Sequence, residues 1–276
     1  MTAVTPGTAA AATMTAVVQD EYGTAPEAVL RLAEITRPTI ADDEILVRVR
    51  AASVDRGTWH LMAGLPYPMR LAGFGLRRPK APNPGRSLAG TVESAGQEVT
   101  GFKPGDEVYG TCDGSFAPYA RARPSRLAPK PANLSFAQAA AVPVSALTAL
   151  QAVRDHAKVQ AGQKVLIIGA SGGVGTFAVQ IAKACGAEVT GLCSTAKTDL
   201  VRSTGADHVI DCTREDFADG QHRYDSSSTS AAATAWPICA GPSPLAAGSS
   251  WSAARPVAGG SAAWTACSAP TCSSLW

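Results

Sequence analysis

The sequence predicts a two-part α/β protein in which a β-rich first half precedes a parallel sheet with helices packed against it. Two observations carry this prediction. Residues 165–168 form a continuous aliphatic run that leads into a glycine-rich turn at residues 169–175 and then into apolar residues at helical spacing. Upstream, apolar and polar residues alternate over residues 45–51, as in a half-buried strand. The length of 276 residues suits two domains.

The first half is predicted to be an all-β module, because it has short strand patterns and no long amphipathic helix before Leu134. Residues 85–95 and 107–109 are typical of further strands, and the Lys-Pro-Gly-Asp sequence at 103–106 is typical of a turn. The predicted segments are a disordered leader at 1–13, a β domain at 14–140, the first half of an α/β domain at 141–225 and a disordered low-complexity tail at 226–276.

The second half is predicted to alternate strands and helices. A strand at 188–193 follows the first helix, a helix at 195–204 comes next, and a turn at 205 leads into a third strand ending at 211. This order is that of the mononucleotide-binding half of a Rossmann domain, in which glycines let the backbone approach a pyrophosphate at the helix N-terminus. The turn residues predicted to bind a dinucleotide are Ala170, Ser171, Gly172, Gly173, Val174 and Gly175.

The end of the second strand indicates which dinucleotide is bound. An acidic residue there would hydrogen-bond the ribose hydroxyls of NAD(H) and repel a 2′-phosphate. This chain has Ser194 and Thr195 instead, with Lys197 two residues later. Small hydroxyls and a cation suit a 2′-phosphate, so NADP(H) is predicted in preference to NAD(H). The alternative is that Lys197 and Arg202 form only the solvated face of the next helix, as the intervening Asp199 suggests.

Composition argues against binding to nucleic acid, insertion into a membrane and secretion. The net charge of +2 is too small to indicate nucleic acid or an acidic membrane surface. No uninterrupted apolar stretch approaches the roughly 20 residues of a membrane span, and the Ala/Thr-rich leader lacks the basic start and Leu-rich core of a signal peptide. Seven scattered cysteines without a Cys-x-x-Cys pair are typical of reduced thiols. A soluble, cytoplasmic protein is therefore expected.

Several spaced motifs carry a more specific resemblance. They are EILVRVRAASV at 44–54, PGRSLAGTVESAG at 84–96, FKPGDEVYG at 102–110, residues 143–150 and ASGGVG at 170–175. With these motifs in order, the chain from Met14 to about Tyr224 resembles the medium-chain dehydrogenase/reductase superfamily. Within that superfamily it resembles the zinc-free, quinone oxidoreductase-like branch, which includes zeta-crystallin-like proteins.

The resemblance implies an N-terminal GroES-like β-barrel domain followed by a Rossmann-type parallel α/β domain, with substrate and nicotinamide held in the cleft between them. It also implies hydride transfer from NADPH to a small-molecule substrate, either a quinone or an α,β-unsaturated carbonyl. The homodimer common in the family forms through the edge of the Rossmann sheet. In this chain that edge falls within the tail.

No metal site is predicted. In place of the Cys of zinc alcohol dehydrogenases the chain has Asp55, and in place of their Gly-His-Glu it has Gly85, Arg86 and Ser87. Their cysteine-rich lobe has no counterpart. Asp55 and His60 provide two candidate ligands, whereas a catalytic zinc needs three. The chemistry would then depend on the cofactor, with the protein orienting the reactants. An alcohol dehydrogenase-type NAD(P) oxidoreductase is the alternative.

Three residues are candidates for catalytic roles by their position in the resemblance. Asp55 matches an Asn or Asp at the substrate cleft of zinc-free relatives, although a strand-end cap explains it equally well. Thr148 matches a threonine that faces the nicotinamide, with back-bonding to a helix carbonyl as the alternative. Tyr67 is a candidate proton donor. The aromatic residues that would line the cleft with it, or else pack in the core or loops, are Trp59, His60 and Phe74.

The chain changes character after Asp225: residues 226–276 contain one charged residue, Arg255, and four of the five tryptophans. One interpretation is a low-complexity extension without a periodic apolar face. The other is a shifted reading frame. If the first two bases of each codon become the last two of a new codon, Ser codons give aliphatic residues or Phe. The shifted frame predicts a strand end and glycine turn at 229–235, a basic helix at 240–247 and a buried strand at 249–254.

We favour the shifted frame, which has a physical consequence. The later sheet strands and part of the nicotinamide floor would be missing, which leaves an incomplete Rossmann sheet with an open edge and an uncovered apolar face. We therefore expect little activity from the polypeptide as written. An inactive, truncated nucleotide-binding remnant of such an enzyme is the second functional hypothesis.

Overall fold

The computed structural model describes residues 12–215, 224–229 and 249–251. The chain divides into two compact units, Met1–Val144 and Ser145–Trp276. Most of the predicted leader and tail lies outside the described residues. Thr13, which was assigned to the leader, begins the first strand.

The first unit is built from antiparallel strands. Its elements are β1 (Thr13–Gln19), α1 (Pro26–Val29), β2 (Leu30–Thr36), β3 (Ile45–Ser53), α2 (Arg56–Ala63), β4 (Ser87–Ala95), β5 (Glu107–Thr111), β6 (Tyr119–Ala122) and β7 (Leu127–Pro129). β1 and β2 pair with each other, and the other five strands form one sheet in the order β6-β3-β4-β5-β7. The predicted β-rich first half is confirmed.

The core of this sheet forms where apolar residues of neighbouring strands meet. On β3, Ile45 and Val47 are fully buried while Arg48 is exposed, in keeping with the alternation in the sequence. Leu88 of β4 and Val108 of β5 pack against them. Burying each such side chain stabilises the fold by about 1.5–3 kcal/mol.

A long helix, α3 (Phe136–Leu150), crosses from the first unit to the second and continues as a π-helical turn at Gln151–His156. Over Phe136–His156 it is long and apolar enough to cross a membrane, a property that core helices share. The start of α3 at Phe136 agrees with the prediction that no long amphipathic helix precedes Leu134.

The second unit contains a parallel sheet with helices between its strands. Its elements after α3 are β8 (Lys164–Ile168), α4 (Gly173–Ala184), β9 (Glu188–Cys193), α5 (Thr198–Ser203), β10 (His208–Asp211), β11 (Ser226–Thr229) and β12 (Ser249–Trp251). The strand order is β10-β9-β8-β11-β12, with every pair parallel. The three strands predicted at 165–211 are confirmed. The helix predicted at 195–204 is a 3₁₀ turn, Thr195–Lys197, followed by α5.

The structure differs from the sequence prediction in the tail. β11 pairs with β8, from Ser226 opposite Val165 to Thr229 opposite Ile168, and β12 pairs with β11. The expected loss of all later strands is therefore wrong for these two positions. A strand end at 229 and a strand at 249 also coincide with the shifted-frame prediction. The frameshift itself stays a prediction, and the basic helix expected at 240–247 lies outside the described residues.

Four of the seven cysteines fall within the described residues. Cys112, Cys185 and Cys193 are free. Burial raises the pKa of the Cys112 thiol to about 12, which keeps it protonated at neutral pH. Cys212 is disulfide-bonded, so the prediction of reduced thiols is wrong for that residue.

A charged group ties α4 to the strands beside it. Asp207 accepts hydrogen bonds from Lys183 Nζ at 2.7 and 2.8 Å and from the backbone N–H of Val189 at 2.7 Å. The hydrogen bond from Lys183, followed by that from Val189, holds the pKa of Asp207 below its usual value. Asp207 therefore links the end of α4 to the start of β9.

We expect Asp207→Asn to lower the free energy of unfolding by about 1 kcal/mol near neutral pH, because the hydrogen bonds to this charged group weaken and solvent already screens the partly exposed pair with Lys183. The carboxylate contributes this stability above its unfolded-state pKa and loses it as the pH falls through its lowered native pKa. The difference between wild type and variant should therefore shrink in acid, as urea unfolding across pH would measure. Asp199→Asn, which removes an exposed pair with Arg202, is the control. Equal losses would contradict the assignment.

Candidate functional site

The glycine turn after β8 has the tight geometry that its sequence predicts. Gly169 has a φ of +72°, in the left-handed region, and its N–H donates to Leu192 O at 3.1 Å. Gly175 lies against this turn so closely that a Cβ on it would stand 2.1 Å from Gly169 O. Because no side chain fits there, the start of α4 comes into backbone contact with the end of β8.

The N-terminus of α4 has features that fit an anion. Its N-cap, Gly172, provides no side-chain cap, so no side chain satisfies the first-turn amides in that way. Ser171 lies beside it with a buried hydroxyl that has no hydrogen-bond partner among the described residues. Ser145 of α3 lines the same end, 3.1 Å from where a Cβ of Gly173 would be. Amides and a hydroxyl thus converge where the helix dipole favours negative charge.

The residues predicted to choose the cofactor follow β9, and one of them, Thr195, belongs to a hydrogen-bond network with the end of β10 that sequence reasoning missed. Thr195 Oγ1 donates to Asp211 Oδ2 at 2.5 Å and lies 2.7 Å from Thr213 Oγ1. Hydrogen bonds from Thr195 and then Thr213 lower the pKa of Asp211, which stays ionised. The hydroxyl proton of Thr195 is therefore already committed. Asp211 could have been found in the sequence, since the carboxyl ends of neighbouring parallel strands meet at one edge.

The cations after β9 are in different situations. Arg202 pairs with Asp199 on α5 at 3.3 Å, as the solvated-face interpretation proposes for that residue. Lys197 is exposed, and its ammonium group has no hydrogen bond or ion pair within the described residues, although its backbone N–H donates to Ser194 O at 2.9 Å. Ser194 is half-buried at the end of β9. Ser194 and Lys197 are thus the members of the predicted set that remain available to a ligand.

In the first unit, three strand ends bring polar residues to one edge of the sheet. Ser53, the last residue of β3, lies opposite Ser87, and Ser87 lies opposite Thr111 of β5. Asp55 follows β3 by two residues. This edge therefore collects the end of β3, the start of β4 and the end of β5.

Asp55 is both a cap and a residue with an unused oxygen. Its Oδ1 accepts a hydrogen bond from the N–H of Thr58 at 2.8 Å and caps α2. Its Oδ2 is buried and has no partner among the described residues. The cap and the cleft roles predicted for Asp55 are thus compatible, because each uses a different oxygen.

Further buried oxygens without partners among the described residues lie along the same edge. The sequence singled out Ser87 only as a residue in place of a zinc ligand, and it did not single out Ser115. Ser87 is 0% exposed and Ser115 1%, and neither hydroxyl has a hydrogen-bond partner among the described residues. Gly85, at a φ of +97°, makes room for Ser115, because a Cβ there would stand 2.4 Å from its Oγ. A buried hydroxyl without a hydrogen-bond partner lowers the stability of the fold unless a water molecule or a ligand provides that partner.

His60 sits on α2 as a neutral imidazole. Its Nδ1 lies 3.0 Å from Leu65 O, which makes Nδ1 the donor and leaves the buried Nε2 as an acceptor without a partner. Burial lowers the pKa of His60 most, and Arg56 lowers it further, against the opposing hydrogen bond to Leu65. The ring meets Trp59 edge-on, with centroids 5.2 Å apart.

The other two predicted catalytic residues are placed differently from each other. Tyr67 is 68% exposed, with the guanidinium of Arg70 4.9 Å from its ring centroid. Thr148 is half-buried on α3, in the second unit, three residues after Ser145. Within the first unit, Asp55 and Tyr67 both lie in the segment from β3 to the turn at Arg70–Phe74.

No group of three or more His, Cys, Asp or Glu side chains able to hold a metal ion occurs among the described residues. The two candidate ligands both have structural partners, Asp55 at Thr58 and His60 at Leu65. The absence of a metal stays a prediction.

Two known families match two separate parts of the chain, which correspond to the β-rich half and the half with the glycine turn. Residues 41–132 match the alcohol dehydrogenase GroES-like domain, and residues 173–225 match the family described as zinc-binding dehydrogenase. The match to the second family ends close to the point where the composition changes.

Individual proteins of known name are similar over the same part of the chain. The 2-methylene-furan-3-one reductase of Solanum lycopersicum is 34% identical over 74% of this chain, and the mitochondrial NAD(P)H oxidoreductase RTN4IP1 of Homo sapiens is 37% identical over 72%. The chain spans about half, 54%, of each of these relatives. The solved quinone oxidoreductase from Coxiella burnetii superposes with a TM-score of 0.70 at 30% identity, covering 78% of this chain and 68% of that one.

The glycine turn leads to a direct test. We expect Gly175→Ala to destabilise the protein by about 3 kcal/mol or more, because its Cβ would overlap the backbone oxygen of Gly169. Gly173→Ala is the matched control: its Cβ meets only the Ser145 side chain at 3.1 Å, and Ala favours the helix by up to about 1 kcal/mol. Denaturant unfolding measures both. Similar values for the two variants would show that the close approach does not exist.

Proposed function

The chain belongs to the medium-chain dehydrogenase/reductase superfamily, in its quinone oxidoreductase-like branch, and we propose that it binds NADPH and reduces a quinone or an α,β-unsaturated carbonyl. The observation that carries this proposal is the uncapped N-terminus of α4 beside the buried, unpartnered hydroxyl of Ser171. The names of two relatives, a 2-methylene-furan-3-one reductase and an NAD(P)H oxidoreductase, support it.

The cofactor would be held by its pyrophosphate at the glycine turn. The amides of Gly173, Val174 and Gly175 begin α4, and Ser171 Oγ needs an acceptor that the described protein does not provide. The predicted set Ala170–Gly175 would therefore act mainly through backbone N–H groups, with Ala170 fully buried as packing. When bound, NADPH supplies the hydride, so the protein needs no nucleophile of its own.

The preference for NADP(H) over NAD(H) is proposed from the ends of β9 and β10. Lys197, without a partner, would pair with the 2′-phosphate, and Ser194 would donate a hydrogen bond to it. Thr195 would contribute indirectly. Its hydroxyl donates a hydrogen bond to Asp211, and this bond would fix the backbone from which Lys197 projects. The ionised Asp211 is already satisfied by Thr195 and Thr213, which reduces its repulsion of a phosphate.

The substrate would bind at the polar edge of the first unit, where Asp55 Oδ2 and the hydroxyl of Ser87 can orient a carbonyl through a water or a proton donor. Tyr67 is exposed enough to exchange protons with solvent, and protonation of the product can come from solvent directly. Thr148 is proposed as a positioning residue for the nicotinamide. Hydride transfer depends chiefly on alignment, so such modest contacts suffice.

Zinc-independent chemistry is proposed although the second matching family is described as zinc-binding. Asp55 and His60 are engaged in capping and in a carbonyl hydrogen bond, and Arg86 and Ser87 stand where a ligand pair would be needed. The cytoplasmic location and the family homodimer stay predictions, and the human relative is named as mitochondrial.

Purified protein of this sequence tests the function. We expect NADPH consumption that requires a quinone or an enone and is unchanged by a zinc chelator. The expectation of little activity depended on the loss of the later strands. Because β11 and β12 occupy two of those positions, we expect activity instead. NADPH binding without consumption would favour the inactive remnant. Stoichiometric zinc with alcohol oxidation would favour the alcohol dehydrogenase alternative.

Cofactor choice has its own test. We expect Lys197→Ala to raise the Kd for NADPH about tenfold, because one charge-assisted contact at an exposed site is lost, and to leave the Kd for NADH unchanged. Arg202→Ala, which removes a nearby cation that is already paired with Asp199, should change neither. Cofactor fluorescence titrations measure all four constants. Equal weakening of NADPH and NADH by Lys197→Ala would contradict the assignment.

A further inference from the structure

One stretch of the first unit carries strongly positive charge although the chain as a whole is nearly neutral. Residues 56–92 contain no Asp or Glu and six basic residues. None of the six forms an ion pair within the described part of the chain. They are Arg56, Arg70, Arg77, Arg78, Lys80 and Arg86. The net charge of +2 conceals this local excess.

The same stretch exposes large apolar side chains. Leu71 is 78% exposed and Leu76 62%, and both lie in the loop at residues 70–80 together with Arg77, Arg78 and Lys80, which are exposed. Seven large apolar residues are exposed in the described chain, and four of them fall within residues 54–76. Leucines and cations therefore alternate over one short segment.

The loop is held in place, so this exposure does not come from fraying. Tyr22 Oη donates to the carbonyls of Phe74 and Gly75 at 2.9 and 2.7 Å, and Lys80 N donates to Phe74 O at 2.9 Å. At its start, Arg70 Nε donates to Gly64 O at 2.9 Å, and its guanidinium lies over the Tyr22 ring.

We infer that the loop at residues 70–80 docks the protein on an anionic phospholipid surface. Exposed leucines on a fixed loop can enter the boundary between headgroups and acyl chains, while Arg77, Arg78 and Lys80 remain at the level of the anionic headgroups. A nucleic acid or a soluble phosphate would use the cations and leave Leu71 and Leu76 in water. A bilayer uses both properties, which is why it is the favoured partner.

Sedimentation of the full chain with lipid vesicles tests this inference without NADPH or quinone, so its outcome is independent of the proposed reductase activity. We expect binding to phosphatidylglycerol-containing vesicles that weakens with salt and is absent on phosphatidylcholine alone. The triple variant R77Q/R78Q/K80Q should lower the partition coefficient about a hundredfold, since each basic residue near an anionic surface contributes about fivefold.

Matched controls separate location from total charge. The triple variant R50Q/K103Q/R123Q removes the same charge from exposed residues outside the loop and should bind like wild type. L71S/L76S should weaken binding at least about tenfold, whereas L32S/L200S, at exposed leucines elsewhere, should not.

Three results would overturn the inference: no wild-type binding at low salt, equal loss in the two charge variants, or heparin binding with no effect of L71S/L76S on vesicles. If a variant unfolds, as its circular dichroism would reveal, the wild-type comparison of anionic with zwitterionic vesicles still decides.

Discussion

The backbone contact between the glycine turn and the start of α4 is the constraint on which the second unit depends. Gly175 has no room for a side chain, because Gly169 O lies 2.1 Å from its would-be Cβ. The contact fixes the helix start directly beyond β8 and points its first amides away from the strand. Hydrogen bonds from Gly169 and Ala170 to Leu192 O then join the turn to β9. The close approach of Gly175 to Gly169 therefore fixes the position of the residues that would bind a dinucleotide.

The first unit follows a different principle, because its polar residues are collected by the ends of antiparallel strands. Ser87 and Ser115 are fully buried, and their hydroxyls find no partner among the described residues. Asp55 caps α2 through Oδ1, whereas its buried Oδ2 has no hydrogen-bond partner among the described residues. Such unsatisfied groups reduce stability, so they are most readily explained as parts of a site that a ligand completes.

The tail shows where sequence and fold disagree. β11 lies between two parallel strands, a position that normally requires aliphatic residues on both faces. It is instead Ser-Ser-Ser-Thr, and Ser226 buries a hydroxyl without a partner in the described residues. A strand at this position with this composition is a conflict between local and global requirements. The shifted reading frame would resolve it, since Ser codons would then specify aliphatic residues.

The sequence by itself determined the fold class, the strands at 165–168 and 188–193, the strand that ends at 211, and the glycine turn, because these depend on local patterns of apolar residues and glycine. Only the tertiary structure decided which polar groups are already occupied. The hydroxyl of Thr195 donates to Asp211, and the hydroxyl of Ser87 is buried without a partner among the described residues, and neither fact follows from the sequence. Such facts depend on contacts between residues far apart in the chain, which periodicity and spacing do not record.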